Sequence, residues 1–428
     1  MFQYFKPISI SLSPNVEKDD LHLALNLLIR PWLWKKGKTI EKLESEFKEY
    51  LGVKHAFSFN SGRSSLYAIL KSLNLEKGSE VLIQSFTCNA VPNPILWAGL
   101  EPVYVDCNKD DFNMDASDLE AKITTKTRVV VVQHVFGLPA NMDAIRAICG
   151  AYNLILIEDC AHSLGAEFNG LKVGAHSRAA FFSFGRDKVI SSVYGGMVVT
   201  NDDELAKNLK QAQDDFSMPN SFWTFQQILH PILLGYLILP IYNFLDLGKI
   251  FLVFSQWFHI LSKAVTKKEK QGVKPDYFPK ALPNALAVMA LNQFYKLEKF
   301  INHRQKIAEY YYKELKNTKF ELPKRYEGSS ASGEASAARR NTFLRFAIKH
   351  PKAHDIIYQA WHSQNILLGD WYTTPIAPFD TKIEEMKYTA GSCKNAEDLS
   401  KITFNLPTHI NISKKDADRI INFLKKYA

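Results

Sequence analysis

Short apolar runs alternate with helical stretches over residues 53–202. Seven of these runs have the length of strands, and most are apolar throughout instead of alternating with polar residues. The predicted strands are His55–Phe59, Glu80–Gln84, Pro102–Asp106, Arg128–His134, Leu154–Glu158, Ala179–Phe184 and Gly196–Thr200. Continuous apolar runs are typical of strands covered on both faces by helices, such as those predicted over Ser64–Leu73 and Ala140–Tyr152. The pattern predicts a large α/β domain with a mostly parallel seven-stranded sheet.

The pattern changes after residue 281. A long helical stretch over Leu282–Lys316 is followed by a segment rich in Ser, Ala and Gly, Glu327–Ala338, which predicts a mobile loop. Two further strands and two helices are then predicted, namely Thr342–Ile348, Ile402–Leu406, Ala353–Gln364 and Lys414–Tyr427. These elements predict a smaller α+β C-terminal domain.

An unusually apolar insertion separates the two parts. Phe216–Leu245 contains no Asp, Glu, Lys or Arg, Ile250–Leu261 is again apolar and aromatic, and five lysines follow by position 274. Pro231 and Pro240 interrupt the run, so we expect no membrane-spanning helix, which needs about 20 apolar residues. Burial against the body or a subunit interface, and insertion of 222–261 into one membrane leaflet, both remain open because both remove apolar area from water.

The predicted organisation therefore has three parts. Residues 1–215 form an N-terminal arm and the large domain, 216–275 form the insertion, and 276–428 form the long helix and the small domain.

Composition narrows the protein class. The 428 residues are 46% hydrophobic and 23% charged, as in globular proteins with a sizeable core. Five cysteines fit no zinc or disulfide spacing, which favours reduced thiols in a cytoplasmic protein without a metal site. Residues 1–14 lack the apolar core of a signal peptide, so we do not expect export. The net charge of +9 suits phosphate-bearing ligands or an anionic membrane, and without a nucleic-acid-binding motif we expect no nucleic acid partner.

Three segments at strand ends carry candidate chemistry. Ser61-Gly62-Arg63 opens a helix, where it either binds an anion through free backbone N–H groups or forms an ordinary N-cap. Asp159 follows a buried strand and either pairs with a cationic cofactor nitrogen or caps the next turn. A lysine such as Lys188 is ordinarily solvated after a strand, but a partly buried lysine has a lowered pKa and attacks aldehydes.

The order of these segments on an α/β sheet is that of a fold-type I enzyme dependent on pyridoxal phosphate (PLP). The aldehyde of PLP needs an amine, its pyridine nitrogen needs a carboxylate to stay protonated, and its phosphate needs N–H groups and hydroxyls. The sequence offers Lys188, Asp159 and the Gly62 turn for these three tasks.

Over most of its length the chain resembles the DegT/StrS family of nucleotide-sugar aminotransferases. The matching segments are Ser61–Leu66, Gln84–Thr87, Pro102–Asp106, His134–Asp143, Glu158–Ala166, Phe182–Phe184 with Lys188 four residues on, Cys393–Glu397 and Leu406–His409. The resemblance implies an aspartate aminotransferase-like fold, PLP as cofactor and a homodimer. It also implies transfer of an amino group from an amino acid, glutamate first, to a nucleotide- or lipid-linked keto-sugar in polysaccharide or glycoconjugate biosynthesis.

The same resemblance implies roles for individual residues. Lys188 binds PLP as a Schiff base and moves the proton, and Asp159 pairs with the pyridinium nitrogen. Ser183 holds the phosphate together with Ser61, Gly62 and Arg63, although Arg63, where the family has Thr, either adds charge there or points to solvent.

The sequence leaves two interpretations open at each of three further sites. His162 either lies near the phenolic oxygen of PLP or is a turn residue hydrogen-bonded to the backbone. Phe86 is our candidate for stacking on the PLP ring, with Cys88 as the alternative. His134 either reaches the site or packs within its strand.

Two departures from the family limit what can be said about the substrate. The family's Asn-Tyr-Arg-Met-Ser-Asp-like motif corresponds here to Pro279–Asn284, which keeps only Lys280 and Asn284 as polar groups. Gly185-Arg186-Asp187 replaces the usual run with His and Pro before Lys188.

Two alternative functions follow. One is another PLP reaction on a sugar, such as dehydration, which the presence of Lys188 disfavours because dehydrating members carry His there. The other is a non-catalytic relative at the membrane, which the insertion motivates. A catalytic protein bound peripherally at the inner face of the membrane combines the two features.

Overall fold

The computed structural model describes residues 6–325 and 338–428, so the loop predicted for Glu327–Ala338 lies outside the described residues except at its last position. Its centre is a seven-stranded sheet. The strands are β1 (His55–Phe59), β2 (Glu80–Gln84), β3 (Glu101–Val105), β4 (Thr127–Gln133), β5 (Ile155–Asp159), β6 (Ala179–Ser183) and β7 (Gly196–Thr200). They lie in the order β1-β7-β6-β5-β4-β2-β3. Only β7 runs antiparallel to its neighbours, which confirms the predicted, mostly parallel sheet.

Helices cover both faces of this sheet. Those of the N-terminal arm and the large domain are Lys18–Leu28, Thr39–Leu51, Gly62–Ser72, Pro92–Trp97, Ala116–Ala121, Met142–Ala151 and Asp203–Asp215. Successive strand residues point to opposite faces, as in β6, where Phe181 packs into one apolar core and Phe182 into the other. Both faces are therefore buried, which is why the strands read as continuous apolar runs.

The C-terminal part is built around a small antiparallel pair, Phe346–Lys349 with Thr403–Leu406. Its helices are Asn284–Phe294, Leu297–Leu315, Ala353–Gln364, Lys394–Ile402 and Lys414–Leu424. Short strands join it to the rest of the chain, pairing Ile8–Ser9 with Ile366–Leu367 and Thr87–Cys88 with Ile376–Ala377. A three-stranded sheet of Glu167–Phe168, Leu171–Lys172 and Arg339–Arg340 adds a further link.

The long helix predicted over Leu282–Lys316 is wrong in one respect, because it is divided at Tyr295 and Lys296. Lys296 leaves helical geometry at the point where its ammonium group contacts Asp19 and Asp20 at 2.8 and 2.9 Å. These acidic residues lie in the first turn of helix Lys18–Leu28. The helix therefore breaks at the residue that forms ion pairs with the N-terminal arm. The local sequence pattern does not predict this break, because the contact joins segments far apart in the chain.

The insertion forms helices Ser221–Ile232, Leu247–Trp257 and Lys267–Lys270. Pro231 does not end the first of them, because the helix continues as a π-helical segment, Leu233–Ile238, before Pro240. No helix among the described residues combines the length and the apolarity that a bilayer crossing requires. Part of the insertion packs inward, with Trp223 and Tyr242 buried, while other aromatic residues such as Trp257 remain 70% exposed.

Candidate active site

A cavity of about 540 Å³ opens at the carboxyl ends of β5 and β6. Ligands bind at this edge in parallel α/β sheets. Four parts of the chain line the cavity, and the N-terminal arm among them provides Ser11 and Leu12. The strand ends provide Ser61, Gly62, Arg63, Gln133, Asp159, His162, Ser183 and Lys188; the insertion provides His230, Leu252, Gln256, Lys263, Ala264, Val265 and Lys270; and the small domain provides Asp370, Trp371, Tyr372 and Thr373.

The helix Gly62–Ser72 begins against this cavity. Ser61 is its N-cap, and its hydroxyl accepts a hydrogen bond from the Ser64 N–H at 3.0 Å. A Cβ at Gly62 would lie 3.0 Å from Ser183 Cβ, and one at Gly196 would lie 2.5 Å from the carbonyl carbon of Ser61. Small residues therefore keep the helix N-terminus and the Ser183 hydroxyl close together, and we refer to this arrangement, which suits a phosphate group, as the phosphate cradle. The N-cap and the anion site are thus compatible interpretations of one turn.

Arg63 lines the cavity but does not point to solvent. Its guanidinium forms an ion pair with Glu269, whose side chain is fully buried in the insertion, and donates to the Ala264 carbonyl at 3.3 Å. The same group lies 4.3 Å from the centre of the Phe278 ring. The solvent-exposed alternative for Arg63 is therefore wrong, and much of its charge is neutralised within the chain.

Asp159 ends β5 with its carboxyl group buried at the cavity. The Ala161 N–H donates a hydrogen bond to it at 2.9 Å. Burial raises the pKa of Asp159 to about 6, against an ordinary value near 4, because the charged form is poorly solvated. A cationic ring N–H beside this carboxyl group would stabilise its charge.

Lys188 places its ammonium nitrogen 4.8 Å from the centre of the Trp371 ring, within the cavity. Burial lowers the pKa of Lys188, which favours the neutral amine that reacts with aldehydes. Asn15 fixes the backbone here, donating to the Lys188 and Val189 carbonyls at 2.6 and 3.0 Å. The buried Arg304 in turn donates to Asn15 at 2.7 Å, which orients the amide.

His162 is hydrogen-bonded to the backbone, as one interpretation predicted, and it also faces the cavity. It lines the cavity and stacks on Trp371 with the ring centres 5.0 Å apart, while its Nδ1 accepts from the Phe136 N–H at 3.4 Å. Burial and the nearby charge of Lys188 hold the pKa of His162 well below its usual range. The imidazole is therefore neutral in the free site.

Phe86 is not positioned to stack on a cofactor. Its ring is fully buried between Phe112 and Tyr372, at 5.3 and 5.4 Å between ring centres, and it does not line the cavity. Cys88, two residues further on, does line the cavity. The structure therefore excludes Phe86 as the stacking residue and leaves the alternative, Cys88, as the one of the two that lines the cavity.

His134 packs beneath the site instead of reaching it. Its Nε2 lies 3.1 Å from Glu158, and its Nδ1 accepts from the Ala140 N–H at 3.0 Å. His134, Glu158 and Cys160 bring three potential metal ligands within 4.8 Å of one another. The Glu158 carboxylate, however, already accepts from Gly174, His176 and Ser177, so this cluster is explained by hydrogen bonds that hold the strands.

Several lining residues were not found from the sequence. Trp371 and Tyr372 come from a loop of the small domain, and His230 and Gln256 come from helices of the insertion. No local pattern signals them, because they reach the cavity only through the packing of segments far apart in the chain.

The arrangement fits PLP on the features of this chain alone. A glycine-dependent cradle suits a phosphate, a buried carboxyl group with a raised pKa suits a cationic ring nitrogen, and an amine with a lowered pKa suits an aldehyde. This fold and these side chains define the class of fold-type I PLP-dependent enzymes.

The chain belongs to the DegT/DnrJ/EryC1/StrS aminotransferase family, whose sequence model matches residues 14–235 and 265–425. PLP is the cofactor of this family. The unmatched residues 236–264 are the central part of the insertion.

Curated relatives include GDP-perosamine synthases. The one from Caulobacter vibrioides is 34% identical over 212 residues, covering 49% of this chain and 57% of the relative. The one from Vibrio cholerae is 37% identical over 190 residues, covering 44% and 52%. The chain thus matches these relatives over about half of their length. A UDP-N-acetyl-3-dehydro-alpha-D-glucosamine 3-aminotransferase from Acidithiobacillus ferrooxidans is 27% identical over 391 residues, covering 91% and 89%.

Solved structures share the fold along the whole chain. Helicobacter pylori PseC, an aminotransferase involved in the biosynthesis of pseudoaminic acid, matches with a TM-score of 0.73 and 22% identity, covering 98% of this chain and 99% of that one. NtdA from Bacillus subtilis, whose structure holds the cofactor PMP, matches with a TM-score of 0.72 and 19% identity, covering 99% and 85%.

Proposed function

We propose that this chain transfers an amino group from an amino acid, glutamate first, to a keto-sugar linked to a nucleotide or a lipid. The observation that carries this proposal is the convergence of Lys188, Asp159 and the phosphate cradle at Gly62 in one cavity. Membership of an aminotransferase family and relatives named for sugar amination support it. The product enters polysaccharide or glycoconjugate biosynthesis.

The chain's own groups divide the work. When bound, PLP supplies an electron sink that stabilises negative charge at Cα of the amino donor. The amine of Lys188 would hold the cofactor, and it would move a proton to and from the reacting carbon of the donor. Asp159 keeps the proton on the ring nitrogen, and the neutral His162 lies at the wall of the same cavity.

The test compares wild-type protein with Lys188→Ala and with Lys207→Gln, a control that changes an exposed lysine of helix Asp203–Asp215. After borohydride reduction, mass spectrometry should find PLP covalently attached to wild type and control only. Both should release 2-oxoglutarate from glutamate, and Lys188→Ala should not, because it lacks the amine that holds the cofactor and moves the proton. Attachment of PLP to Lys188→Ala, or unchanged 2-oxoglutarate release by it, contradicts the proposal.

We further propose that the protein works in the cytoplasm and that its insertion contacts the inner, anionic face of a membrane. Large apolar side chains on one face of the insertion are exposed, among them Leu245 (78%), Val253 (66%), Trp257 (70%) and Phe258 (62%). Exposed lysines of the segment that follows, such as Lys263 and Lys267, bring positive charge to the same region. Apolar side chains bordered by lysines match a surface that is anionic outside and apolar within.

Flotation with vesicles of phosphatidylglycerol and phosphatidylethanolamine tests this contact. Phe254→Ser/Trp257→Ser should reduce the floated fraction at least about tenfold, because it removes two large apolar groups from the interface. The matched control Tyr358→Ser/Trp361→Ser removes two exposed aromatic residues from the small domain and should float like wild type. Equal flotation of both double variants contradicts membrane contact. A change of oligomeric mass in Phe254→Ser/Trp257→Ser, without a change in flotation, assigns the face to a second copy instead.

A further inference from the structure

His230 of the insertion is buried, at 4% exposure, and lines the active-site cavity. Within the described residues, neither of its ring nitrogens has a hydrogen-bond partner. Burial and the charge of Arg186 hold the pKa of His230 well below its usual range, so the free imidazole is neutral. An unpaired polar ring in a buried position costs stability unless a ligand completes its hydrogen bonds.

Arg186 lines the same cavity, in the run that departs from the family before Lys188. Its guanidinium donates to the Ser262 carbonyl and hydroxyl at 2.6 and 2.7 Å, and its Nε is buried without a partner. Among the described residues no carboxylate lies within 4.0 Å of it, whereas Arg63 pairs with Glu269 and Lys270 pairs with Asp380. The carboxylate of the adjacent Asp187 acts on Arg186 only from beyond 4.0 Å, so this largely desolvated cation has no direct ion pair and favours an anion in the cavity.

We propose that Arg186 and His230 form a subsite for a phosphate group on the carrier of the sugar substrate. This proposal rests on the proposed aminotransferase function and names the part of the substrate that the insertion recognises. Arg186 supplies the charge, and His230 supplies a hydrogen bond through its ring N–H.

The position of the subsite favours the carrier over the amino donor. Ser262, which orients Arg186, and Leu252 and Gln256, which line the cavity, all lie in residues 236–264, the stretch outside the family's sequence match. The amino donor and PLP are common to the reaction class, whereas the carrier of the sugar is the part that varies. A segment outside the family's sequence match therefore suits the variable ligand, and it adjoins Arg186 and His230, which lie within the matched residues 14–235. The segment also provides, from the same chain, polar groups near the cavity, whereas Pro279–Asn284 keeps only Lys280 and Asn284 as polar groups.

The test titrates PLP-loaded protein with inorganic pyrophosphate by calorimetry. We expect Arg186→Gln to raise the Kd for pyrophosphate at least about tenfold, and His230→Phe about fivefold, because each removes a hydrogen bond to a charged group. The control Lys207→Gln, an equal change of charge far from the cavity, should stay within about twofold. His230→Phe should melt at or above the wild-type temperature, because it replaces a buried unpaired ring by an apolar one. A merely structural histidine would show the opposite, a lower melting temperature with unchanged pyrophosphate binding.

Other outcomes overturn the subsite. If both variants bind pyrophosphate like wild type, the subsite is wrong even where transamination is confirmed. If they weaken PLP binding and leave the Kd for pyrophosphate unchanged, Arg186 and His230 serve the phosphate of the cofactor. If the variants raise only the KM for glutamate, Arg186 and His230 bind the carboxylates of glutamate. Pyrophosphate binding needs no turnover, so failure here and failure of the Lys188 test are separate results.

Discussion

At the scale of single residues, the buried carboxyl group of Asp159 indicates which ligand charge the site favours. Its carboxyl group is 3% exposed, and its pKa is raised to about 6 by burial. Among the described residues no basic group pairs with it within 4.0 Å, although Lys188 lies near enough to oppose the shift. Such a carboxyl group is unfavourable for the free protein and favourable for a cation that binds beside it.

The free energy of unfolding of the PLP-free protein should therefore carry a pH signature of Asp159. Because its folded-state pKa lies above the ordinary value, the folded protein binds more protons than the unfolded chain between pH 4 and 6. Stability should thus fall as pH rises through this window, by about 3 kcal/mol for this group. Urea unfolding of wild type and Asp159→Asn should show a difference that changes across this window. A difference that stays constant from pH 4 to 7 contradicts the assignment.

Asp159 should also control cofactor binding. The affinity for PLP should fall as pH drops below about 6, since protonation removes the negative charge that holds the ring N–H. Fluorescence titration with PLP should show this dependence in wild type and a weaker one in Asp159→Asn.

Asp159→Asn should also slow 2-oxoglutarate release from glutamate by about 10²-fold, the size of effect that a positioned electrostatic group has. A variant with wild-type pH dependence and rate contradicts the role.

At the scale of elements, the short helix Lys267–Lys270 fastens the insertion to the large domain. Glu269 is fully buried and pairs with Arg63 at the start of helix Gly62–Ser72. Its other oxygen accepts from the Thr266 N–H and hydroxyl, both at 2.9 Å, and from the Tyr277 hydroxyl at 3.1 Å. The Glu269 carboxylate thus holds the C-terminal end of the insertion against the phosphate cradle.

Glu269→Ala should therefore lower the free energy of unfolding by about 3 kcal/mol, because it leaves Arg63 desolvated without its counter-ion. Glu269→Gln should cost less, since its amide oxygen still accepts from Thr266 and Tyr277. Asp276→Ala is the matched control, because Asp276 is exposed and contacts Lys268 at 3.6 Å, so it should change stability by less than about 0.5 kcal/mol. Chemical denaturation measures all three. A cost for Glu269→Ala no larger than that for Asp276→Ala would show that the pair does not fasten the insertion.

At the scale of the whole molecule, we expect two copies of the chain to associate. The family resemblance implies a homodimer, and the N-terminal arm exposes Ile29 and Trp32, each at 72%. Sedimentation equilibrium should find a particle of twice the 48.8 kDa chain mass at micromolar concentration. A mass of one chain throughout the concentration range contradicts the homodimer.

The sequence predicted the sheet well and the cavity walls poorly. The strands of the sheet were visible because two-sided burial makes each strand apolar throughout. Asp159, Ser183 and Lys188 were visible because they lie at or after the ends of such strands. Phe86 and Cys88 were harder to distinguish, because the local sequence does not show that the Phe86 ring packs between Phe112 and Tyr372. His230 and Trp371 were not visible at all, since they reach the cavity only by packing between segments far apart in the chain.

Helix Leu247–Trp257 has a thermodynamic consequence for the whole molecule. Leu252 and Gln256, one turn apart, line the cavity, while Val253 and Trp257, each one residue further on, face outward. A single helix therefore borders both the cavity and whatever covers the outer face. Where a ligand in the cavity shifts this helix, it changes the affinity of the outer face, and occupancy of the outer face must change ligand affinity by the same factor. Substrate binding and attachment to a surface are in that case reciprocally linked. Attachment of the protein to a surface then changes its affinity for substrate, without a separate site for a regulatory ligand.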